Sequence, residues 1–568
     1  MIANKYILQY IFNQTFHLIE RCEVDYIHYL LVKLLLVSKS FVREVLCGIA
    51  YPTLNITSIG DLKKAMLFMK HRIPILLSIN IPQNRSSGFV NSTVVMNCVH
   101  SIKNMFGQEK ASWDQVSGSI KCFTSYESTF LSWTESYDRL ESVLIEDPIN
   151  NRDSNALLNL LNSKPSSFPQ LKELLLVEND TNISFDPAGI SVDVCNKIST
   201  LKVQSTQEFH SFAFIQQFKH LAVLHLDLRG VTNQHYRDMV TNIKVHPNIQ
   251  DLRLMFRGNV KIESRDFIGN GNITTLYLSH DRLTPECVQS ILDNNKTLKH
   301  LSIIATSVVF TVLTCPRKEA PGPPLKNSVL QGICLRGLAH NVASKWTEPS
   351  NLRCLNVDEL LPNISATHPH LERLTIHTNV EPTEPNQISA FLKGLANNQT
   401  IEYLEIDIKT KNYLTQKRLF PSPMEFLTRL FCLFPKTNIR HFKFTIRGYT
   451  HTINDFNQQD QLLLAIKNNS HQLYSLFLNS FSSDPIINDI NILFTVLESL
   501  EYIQLFECNQ SYSLTDKQYL RFKHSIAQLK YLKFLNIQLV LNPLYQQNLK
   551  HYLSSLGIFN ITPKNKVF

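Results

Sequence analysis

The sequence predicts an α/β solenoid, in which short parallel strands alternate with helices along one elongated core, preceded by a small α-helical module. Three observations predict this fold class. A short apolar pattern recurs along the chain, and the 568 residues exceed the length that one compact core usually covers. Apolar residues, at 43% against 18% charged, also suffice for a core throughout.

The recurring pattern is an apolar residue, two variable residues, an apolar residue, one variable residue and a last apolar residue. LKELLL, starting at Leu171, is one example. Clear copies begin at Leu171, Leu221, Ile249, Ile273, Leu298, Leu352, Leu371, Ile401, Ile439, Leu473, Leu500 and Leu532, and weaker ones at Leu140 and Ile198. Recurrence of one short pattern at intervals of roughly 20 to 50 residues is typical of repeat architectures.

Strand geometry explains the pattern, and the intervening segments explain how the core is covered. Side chains alternate between the two faces of a strand, so the last two apolar positions point inward while the variable positions point outward. Thr284 and Pro285 form a helix start, with a capping threonine and a proline at the first helical position. Apolar stripes at helical spacing comprise Cys287, Val288, Ile291 and Leu292; Tyr236, Met239, Val240 and Ile243; and Ile388, Phe391, Leu392 and Leu395.

The stretch from Leu276 to Leu298, LYLSHDRLTPECVQSILDNNKTL, resembles the leucine-rich repeats of the ribonuclease-inhibitor type. The resemblance implies a horseshoe of parallel strands and helices, with partners held on its concave side. Family repeats often carry Asn or Cys eight residues after the first leucine. Asn179, Asn379 and Cys508 match that position.

Three segments of different character divide the chain. Residues 1–48 are expected to form a helical module, residues 49–139 a transition region with degenerate repeats, and residues 140–568 the solenoid. Residues 314–326, TCPRKEAPGPPLK, contain four prolines and should loop out of the array.

The first segment resembles a divergent F-box, the helical module that joins a substrate-holding domain to a Skp-type adaptor in cullin-based ubiquitin ligases. Carried over by position, the adaptor-binding residues are Ile7, Leu8, Ile11, Phe12, Val37 and Phe41. Ala3-Asn4 stands where the family has Leu-Pro, and Phe41 where it usually has tryptophan. The alternative is an amphipathic cap that seals the end of the solenoid.

A protein partner is expected on the concave face, which the third, fifth and seventh positions of each copy should form. The candidate residues are Arg253, Tyr277, Tyr403, Glu405, Lys443, Phe477, Tyr502, Gln504, Phe506 and Phe534. Exposed aromatic residues often dominate binding energy. The alternative is that the aromatic rings near the C-terminus pack against residues 549–559.

No pattern in the sequence indicates catalysis, and no cofactor or metal is expected. The sequence has no zinc-type Cys/His spacing, no dinucleotide fingerprint and no nucleophile elbow. His368 and His370 are interpreted as a surface turn between repeats. The densest basic stretch, residues 409–418, contains four cations and is interpreted as a solvated loop, so no nucleic-acid partner is expected.

Cellular location is inferred from the cysteines and the apolar runs. The 11 scattered cysteines form no C-x-x-C pair, which indicates a reducing compartment. No signal peptide or membrane span is expected, so the prediction is the cytoplasm, with the nucleus as an additional site. Two functions remain: substrate recruitment for a cullin-type ubiquitin ligase, or a scaffold or ligand-binding role without ubiquitination.

Overall fold

In a computed structural model the chain forms two compact units, Met1–Lys261 and Ile262–Phe568. The structure describes residues 9, 41, 45–46, 49, 51, 54–56, 77–80, 120–125, 140–146, 154–177, 187–205, 211–257, 260–267, 271–280, 283, 285–304, 327–336, 346, 349–358, 360–361, 364–378, 385–409, 423–447, 453–480, 486, 489–541, 543–556 and 558. The predicted loop at 314–326 lies outside these residues.

The N-terminal unit contains a parallel sheet in which each strand pairs with the next one in the chain. Its strands are β1 (Leu54–Ile56), β2 (Leu77–Asn80), β3 (Ile120–Ser125), β4 (Ser142–Glu146), β5 (Glu173–Val177), β6 (Thr200–Ser205), β7 (Val223–Arg229) and β8 (Asp251–Arg257). Its α-helices are α1 (Ser154–Ser163), α2 (Val192–Cys195) and α3 (Asn233–Val245), with 3-10 turns at Pro165–Ser167, Pro187–Gly189 and Ala213–Gln217. The first three strands fall within the segment interpreted as a transition region.

The C-terminal unit repeats this arrangement, again with parallel pairing in chain order. Its strands are β9 (Thr275–Ser279), β10 (His300–Ile304), β11 (Gly332–Arg336), β12 (Cys354–Val357), β13 (Arg373–Thr378), β14 (Tyr403–Lys409), β15 (His441–Arg447), β16 (Ser475–Ser480), β17 (Leu505–Ser513) and β18 (Phe534–Val540). Its helices are α4 (Pro285–Asn294), α5 (Ile364–Thr367), α6 (Pro385–Ala396), α7 (Pro423–Leu433), α8 (Ile453–Asn469), α9 (Ile490–Ser499), α10 (Asp516–Gln528) and α11 (Pro543–Ser555), with 3-10 turns at Ser264–Asp266 and Phe434–Lys436.

The apolar positions of the repeat form the core, as the pattern predicts. Leu371, Leu374 and Ile376, the three apolar positions of one copy, have no exposed surface. Parallel register places Leu374 beside Leu404, the corresponding residue of the next copy. Equivalent residues therefore stack from strand to strand, and the prediction of an α/β solenoid of the leucine-rich-repeat kind is confirmed.

The helices between strands cover the core with the predicted stripes. In α3, the side chain of Thr232 accepts a hydrogen bond from the backbone N–H of His235 and caps the helix. On the side of α3 that faces the core, Tyr236, Met239 and Ile243 are buried. Pro285 is the first residue of α4, as expected for proline at a helix start.

Within each unit, one backbone hydrogen-bond pattern joins neighbouring turns from the copy at Leu140 onward. The carbonyl of the second residue of one copy accepts two N–H groups from the second and third residues of the following copy. The Glu372 carbonyl accepts from Glu402 at 2.9 Å and from Tyr403 at 3.1 Å. The Glu402 carbonyl accepts in the same way from Arg440 and His441. This pattern fixes the register independently of side chains.

Asparagine satisfies backbone groups before the strand rather than after it. Asn295, three residues before the copy at Leu298, accepts from the N–H groups of Thr297 and Leu298 at 3.0 and 2.9 Å. Its Nδ2 donates to the Phe267 carbonyl at 2.9 Å. Asn327 and Asn398 occupy the same position and make the same kinds of bond.

The interpretation of the position eight residues after the first leucine is accordingly wrong for Cys508. Cys508 lies on the core side of β17 and is fully buried, with its sulfur 3.6 Å from the Tyr512 hydroxyl. It is a core residue of the strand and not part of the following turn. Asn179 and Asn379 lie outside the described residues.

Replacing Asn295 with alanine is expected to lower the free energy of unfolding by about 2 kcal/mol, because the N–H groups of Thr297 and Leu298 and the carbonyl of Phe267 lose their partner. Urea unfolding of the full chain measures this loss. The neighbouring Asn294 is exposed and donates only within its own helix, to Ser290. Asn294→Ala is therefore the matched control, and an equal loss in both variants would contradict a special role for Asn295.

Among the described residues, no helix combines the length and the apolar character that crossing a membrane requires.

Candidate functional site

The candidate site lies on the face of the C-terminal sheet that points away from the core, here called the open face. It consists of the third, fifth and seventh positions of each copy, and of the ninth where a strand is long enough. Glu405, the fifth residue of its copy, pairs in register with Lys443, the fifth residue of the next. Side chains at these positions form rows across neighbouring strands and contact one another laterally.

Arg373, Tyr403, Glu405 and Lys443 form a connected set across β13, β14 and β15. The guanidinium carbon of Arg373 lies 4.1 Å from the centre of the Tyr403 ring. The Tyr403 hydroxyl donates to Glu405 Oε2 at 3.0 Å, and Lys443 Nζ lies 2.7 Å from Glu405 Oε1. Both carboxylate oxygens of Glu405 are therefore engaged by neighbours on the sheet.

His377, Asp407 and Arg447 form a second set beside the first. Arg447 donates to both carboxylate oxygens of Asp407, from Nε at 3.1 Å and from Nη2 at 3.0 Å. His377 Nδ1 lies 3.3 Å from Asp407 Oδ2. These seven residues together are called the β13–β15 cluster.

The cluster sets the protonation states of its own members. Burial and the adjacent Glu405 carboxylate raise the pKa of Tyr403 to about 12, so its hydroxyl keeps the proton that it donates. Burial raises the pKa of Asp407, but hydrogen bonds and charge from His377 and Arg447 lower it more. The resulting pKa lies below the ordinary aspartate value, so Asp407 is charged at neutral pH.

The other predicted open-face residues occupy several places. Arg253 lies on β8 in the N-terminal unit and pairs with Asp251, with its Nη2 3.0 Å from Asp251 Oδ2. Tyr277 on β9, Phe477 on β16 and Phe534 on β18 are each partly exposed at open-face positions of the C-terminal unit. None of these three belongs to the β13–β15 cluster.

The predicted register of the copy at Leu500 is wrong by three residues. Phe506 pairs with Leu476, an inward position, and has no exposed surface. The copy starts at Ile503, so Phe506 is a core residue. Tyr502 and Gln504 precede β17 and do not lie on the open face. Leu505 takes the third position, which was expected for Tyr502, and Glu507 takes the fifth, which was expected for Gln504.

Tyr502 nevertheless belongs to an exposed aromatic pair. Its ring stacks on that of Tyr531 with the ring centres 5.7 Å apart, and 45% and 50% of the two residues remain exposed. Both residues immediately precede the first apolar position of their copies. The pair therefore lies beside the sheet, at the end where the strands begin.

The N-terminal predictions are only partly covered by the structure. Ile7, Leu8, Ile11, Phe12 and Val37 lie outside the described residues. Phe41 is described and is 9% exposed, near the buried Val45 and Leu46 in sequence. It is a core residue here, which corrects its assignment to an adaptor-binding surface.

The interpretation of His368 as a surface residue is also wrong. His368 has no exposed surface, and its Nδ1 lies 2.7 Å from the Ser350 hydroxyl, with Trp346 packed edge-on at 5.6 Å between ring centres. Burial lowers its pKa to about 4. His370 is exposed, as expected for the turn. Within the part of the chain that the structure describes, no three side chains of the metal-binding types are grouped to hold an ion.

No model of a known protein family matches the sequence, and no curated protein matches it. Among solved structures, the chain is similar to the crystal structure of a TLR13–ssRNA13 complex, at 13% identity and a TM-score of 0.33. That alignment covers 88% of this chain and 76% of the other. The assignment of the fold therefore rests on the parallel register and the buried repeat positions described above.

The sequence predicted three of the seven cluster residues as partner-binding: Tyr403, Glu405 and Lys443. Asp407 is the seventh residue of the copy at Ile401, and Arg373 and His377 are the third and seventh residues of the copy at Leu371, so all three lie at positions that the count of outward residues already includes. Arg447 lies at a ninth position, which that count does not reach. The pairing among these residues has no signal in one sequence, because the partners are 30 and 40 residues apart.

Proposed function

We propose that this chain is a protein-binding solenoid, and that the open face around the β13–β15 cluster holds the partner. The observation that carries the proposal is the cluster itself, which places arginine, tyrosine and lysine side chains together outside the core. Half-exposed ion pairs of this kind contribute only about 1 kcal/mol or less to stability. Arginine and tyrosine are also among the residues that most often dominate binding energy at interfaces.

We further propose that the chain recruits a substrate to a cullin-type ubiquitin ligase through a Skp-type adaptor. The support is the resemblance of residues 1–48 to an F-box and the arrangement of that segment before leucine-rich repeats. The alternative is a scaffold or ligand-binding protein with no role in ubiquitination. Burial of Phe41 supports that alternative, as does the hydrogen bond from Gln9 Nε2 to the Val45 carbonyl at 3.4 Å.

Affinity capture from cells tests the binding face. Tyr403→Ala should abolish capture of the partner, because it removes the ring beneath Arg373 and the hydroxyl that orients Glu405. Tyr502→Ala is the matched control, since Tyr502 is exposed but lies beside the sheet, and it should capture as wild type does. Thermal unfolding establishes that both variants are folded, and Phe477→Ala supplies a second open-face variant. Unchanged capture by both open-face variants would refute the proposed face.

The same capture decides between the two roles. Full-length protein should retain a Skp-type adaptor, and deletion of residues 1–40 should release it. That deletion keeps Phe41, Val45 and Leu46, which are buried. Absence of adaptor from the full-length sample would reject the ligase role and leave the binding role standing.

A further inference from the structure

The β13–β15 cluster shields its acids and exposes its cations. The side chains of Glu405 and Asp407 are 14% and 13% exposed, whereas those of Lys443 and Arg447 are 36% and 50% exposed. Arg373 is exposed as well. A molecule that approaches this part of the open face therefore meets positive groups first.

The acids are also occupied by donors from within the sheet. Glu405 accepts from the Tyr403 hydroxyl and pairs with Lys443. Asp407 accepts two hydrogen bonds from Arg447 and lies beside His377. Because Glu405 and Asp407 are largely covered and hydrogen-bonded within the sheet, the exposed charged groups of this surface are the N–H donors of Arg373, Lys443 and Arg447.

The cations are held in place rather than dispersed. The Arg373 guanidinium is supported by the Tyr403 ring, whose hydroxyl is itself fixed by Glu405. Preorganised side chains lose less conformational entropy when they bind a ligand. Arg373 and Lys443 lie on strands two apart and are offset by two residues along the strands, so their backbones are separated by roughly 12 Å. That distance is close to the roughly 13 Å between side chains four residues apart in an extended peptide.

We propose that the β13–β15 cluster binds an acidic, extended segment of a partner protein, with aspartate or glutamate carboxylates on Arg373, Lys443 and Arg447. The inference rests on the proposed function and names the chemistry of the partner at that same face. Carboxylates match the planar guanidinium and the ammonium as hydrogen-bond acceptors.

The spacing of charge favours a peptide over a nucleic acid. The cations of the cluster alternate with two carboxylates on the same face, which a continuous phosphate backbone would approach closely. Nucleic-acid surfaces usually have a concentrated basic stripe. Discrete carboxylates on an extended peptide can meet the separate cations and avoid the acids between them.

Fluorescence anisotropy of the full chain with a short fluorescein-labelled peptide of alternating glutamate and serine tests the proposal. A peptide with glutamine in place of glutamate and a single-stranded RNA of similar charge are the comparison probes. The glutamate peptide should bind, the glutamine peptide should not, and Arg373→Gln with Lys443→Gln should weaken binding by about tenfold. Added salt should weaken it too.

The matched control is Arg429→Gln with Arg521→Gln, which removes the same charge from helices. Those two side chains are 41% and 43% exposed, which is similar to the 36% exposure of the Lys443 side chain. An equal loss in the control, or equal binding of the glutamine peptide, would overturn the inference. Tighter binding of RNA at the same residues would overturn it in favour of a nucleic acid. If Tyr403→Ala abolishes protein capture while the glutamate peptide fails to bind, the proposed function survives and only this inference fails.

Discussion

Phe506→Ala is expected to lower the free energy of unfolding by about 4 kcal/mol, because a fully buried phenyl ring leaves a cavity in the core. Phe506 has no exposed surface and lies between Leu476 and Leu535 of the neighbouring strands. Chemical denaturation of the full chain, followed by far-UV circular dichroism, measures the change.

Tyr502→Ala is the control for this experiment, since only three residues lie between the two positions in sequence and both side chains are aromatic. Tyr502 is 45% exposed and stacks on Tyr531, so its loss should cost about 1 kcal/mol or less. A small effect at Phe506 would mean that the copy starts at Leu500 after all, because that register places Phe506 at an outward position.

Acidification is expected to remove about 3 kcal/mol of stability through His368 alone. Burial lowers the pKa of His368 from 6.5 to about 4 in the folded chain. The unfolded chain therefore takes up a proton at a higher pH than the folded chain does. The stabilisation is fully present above pH 6.5 and is lost as the pH falls towards about 4.

Unfolding free energies measured across that range separate His368 from the acids that titrate near its lower end. His368→Gln removes the titrating ring, so its stability should fall less steeply with decreasing pH than that of the wild type. His370→Gln is the neighbouring control, and because His370 is exposed its profile should follow the wild type. Parallel profiles for wild type and His368→Gln would contradict the assigned cause.

The repeat could be predicted from the sequence because its apolar positions are enforced by burial in every copy. The register at β17 could not, since Leu500, Ile503, Leu505 and Phe506 are all apolar and two alignments satisfy the pattern equally. Cross-strand pairing decides between them, because Phe506 takes the place opposite Leu476. A one-dimensional pattern contains no such information.

Strand β11 was not among the predicted copies. LQGICL at Leu330 fits the pattern and forms β11, in register with His300–Ile304 on one side and with β12 on the other. It follows the proline-rich stretch at 314–326, which is typical of an interruption of the array. Gly332 also weakens the strand signal. An added Cβ there would lie 2.7 Å from His300 Nδ1, so the glycine leaves room for that ring.

The candidate site was predicted as separate residues and not as a cluster. The count of outward positions placed Tyr403, Glu405 and Lys443 correctly, because side-chain alternation along a strand is strict. Which cation pairs with which acid depends on lateral stacking between copies separated by segments of unequal length. Asp407 thus pairs with Arg447, which is 40 residues away, as well as with His377 in the strand before it.

The carbonyl of the second residue of a copy accepts two N–H groups from the following copy, and this repeated bond bears on how the number of repeats can change. Within each unit, neighbouring described turns are joined by backbone bonds that any amino acid except proline can make. Excising one whole turn, or duplicating it, brings two equivalent edges together and restores the same bonds. Unequal duplication of the coding sequence could therefore lengthen or shorten the array without redesign of its interior.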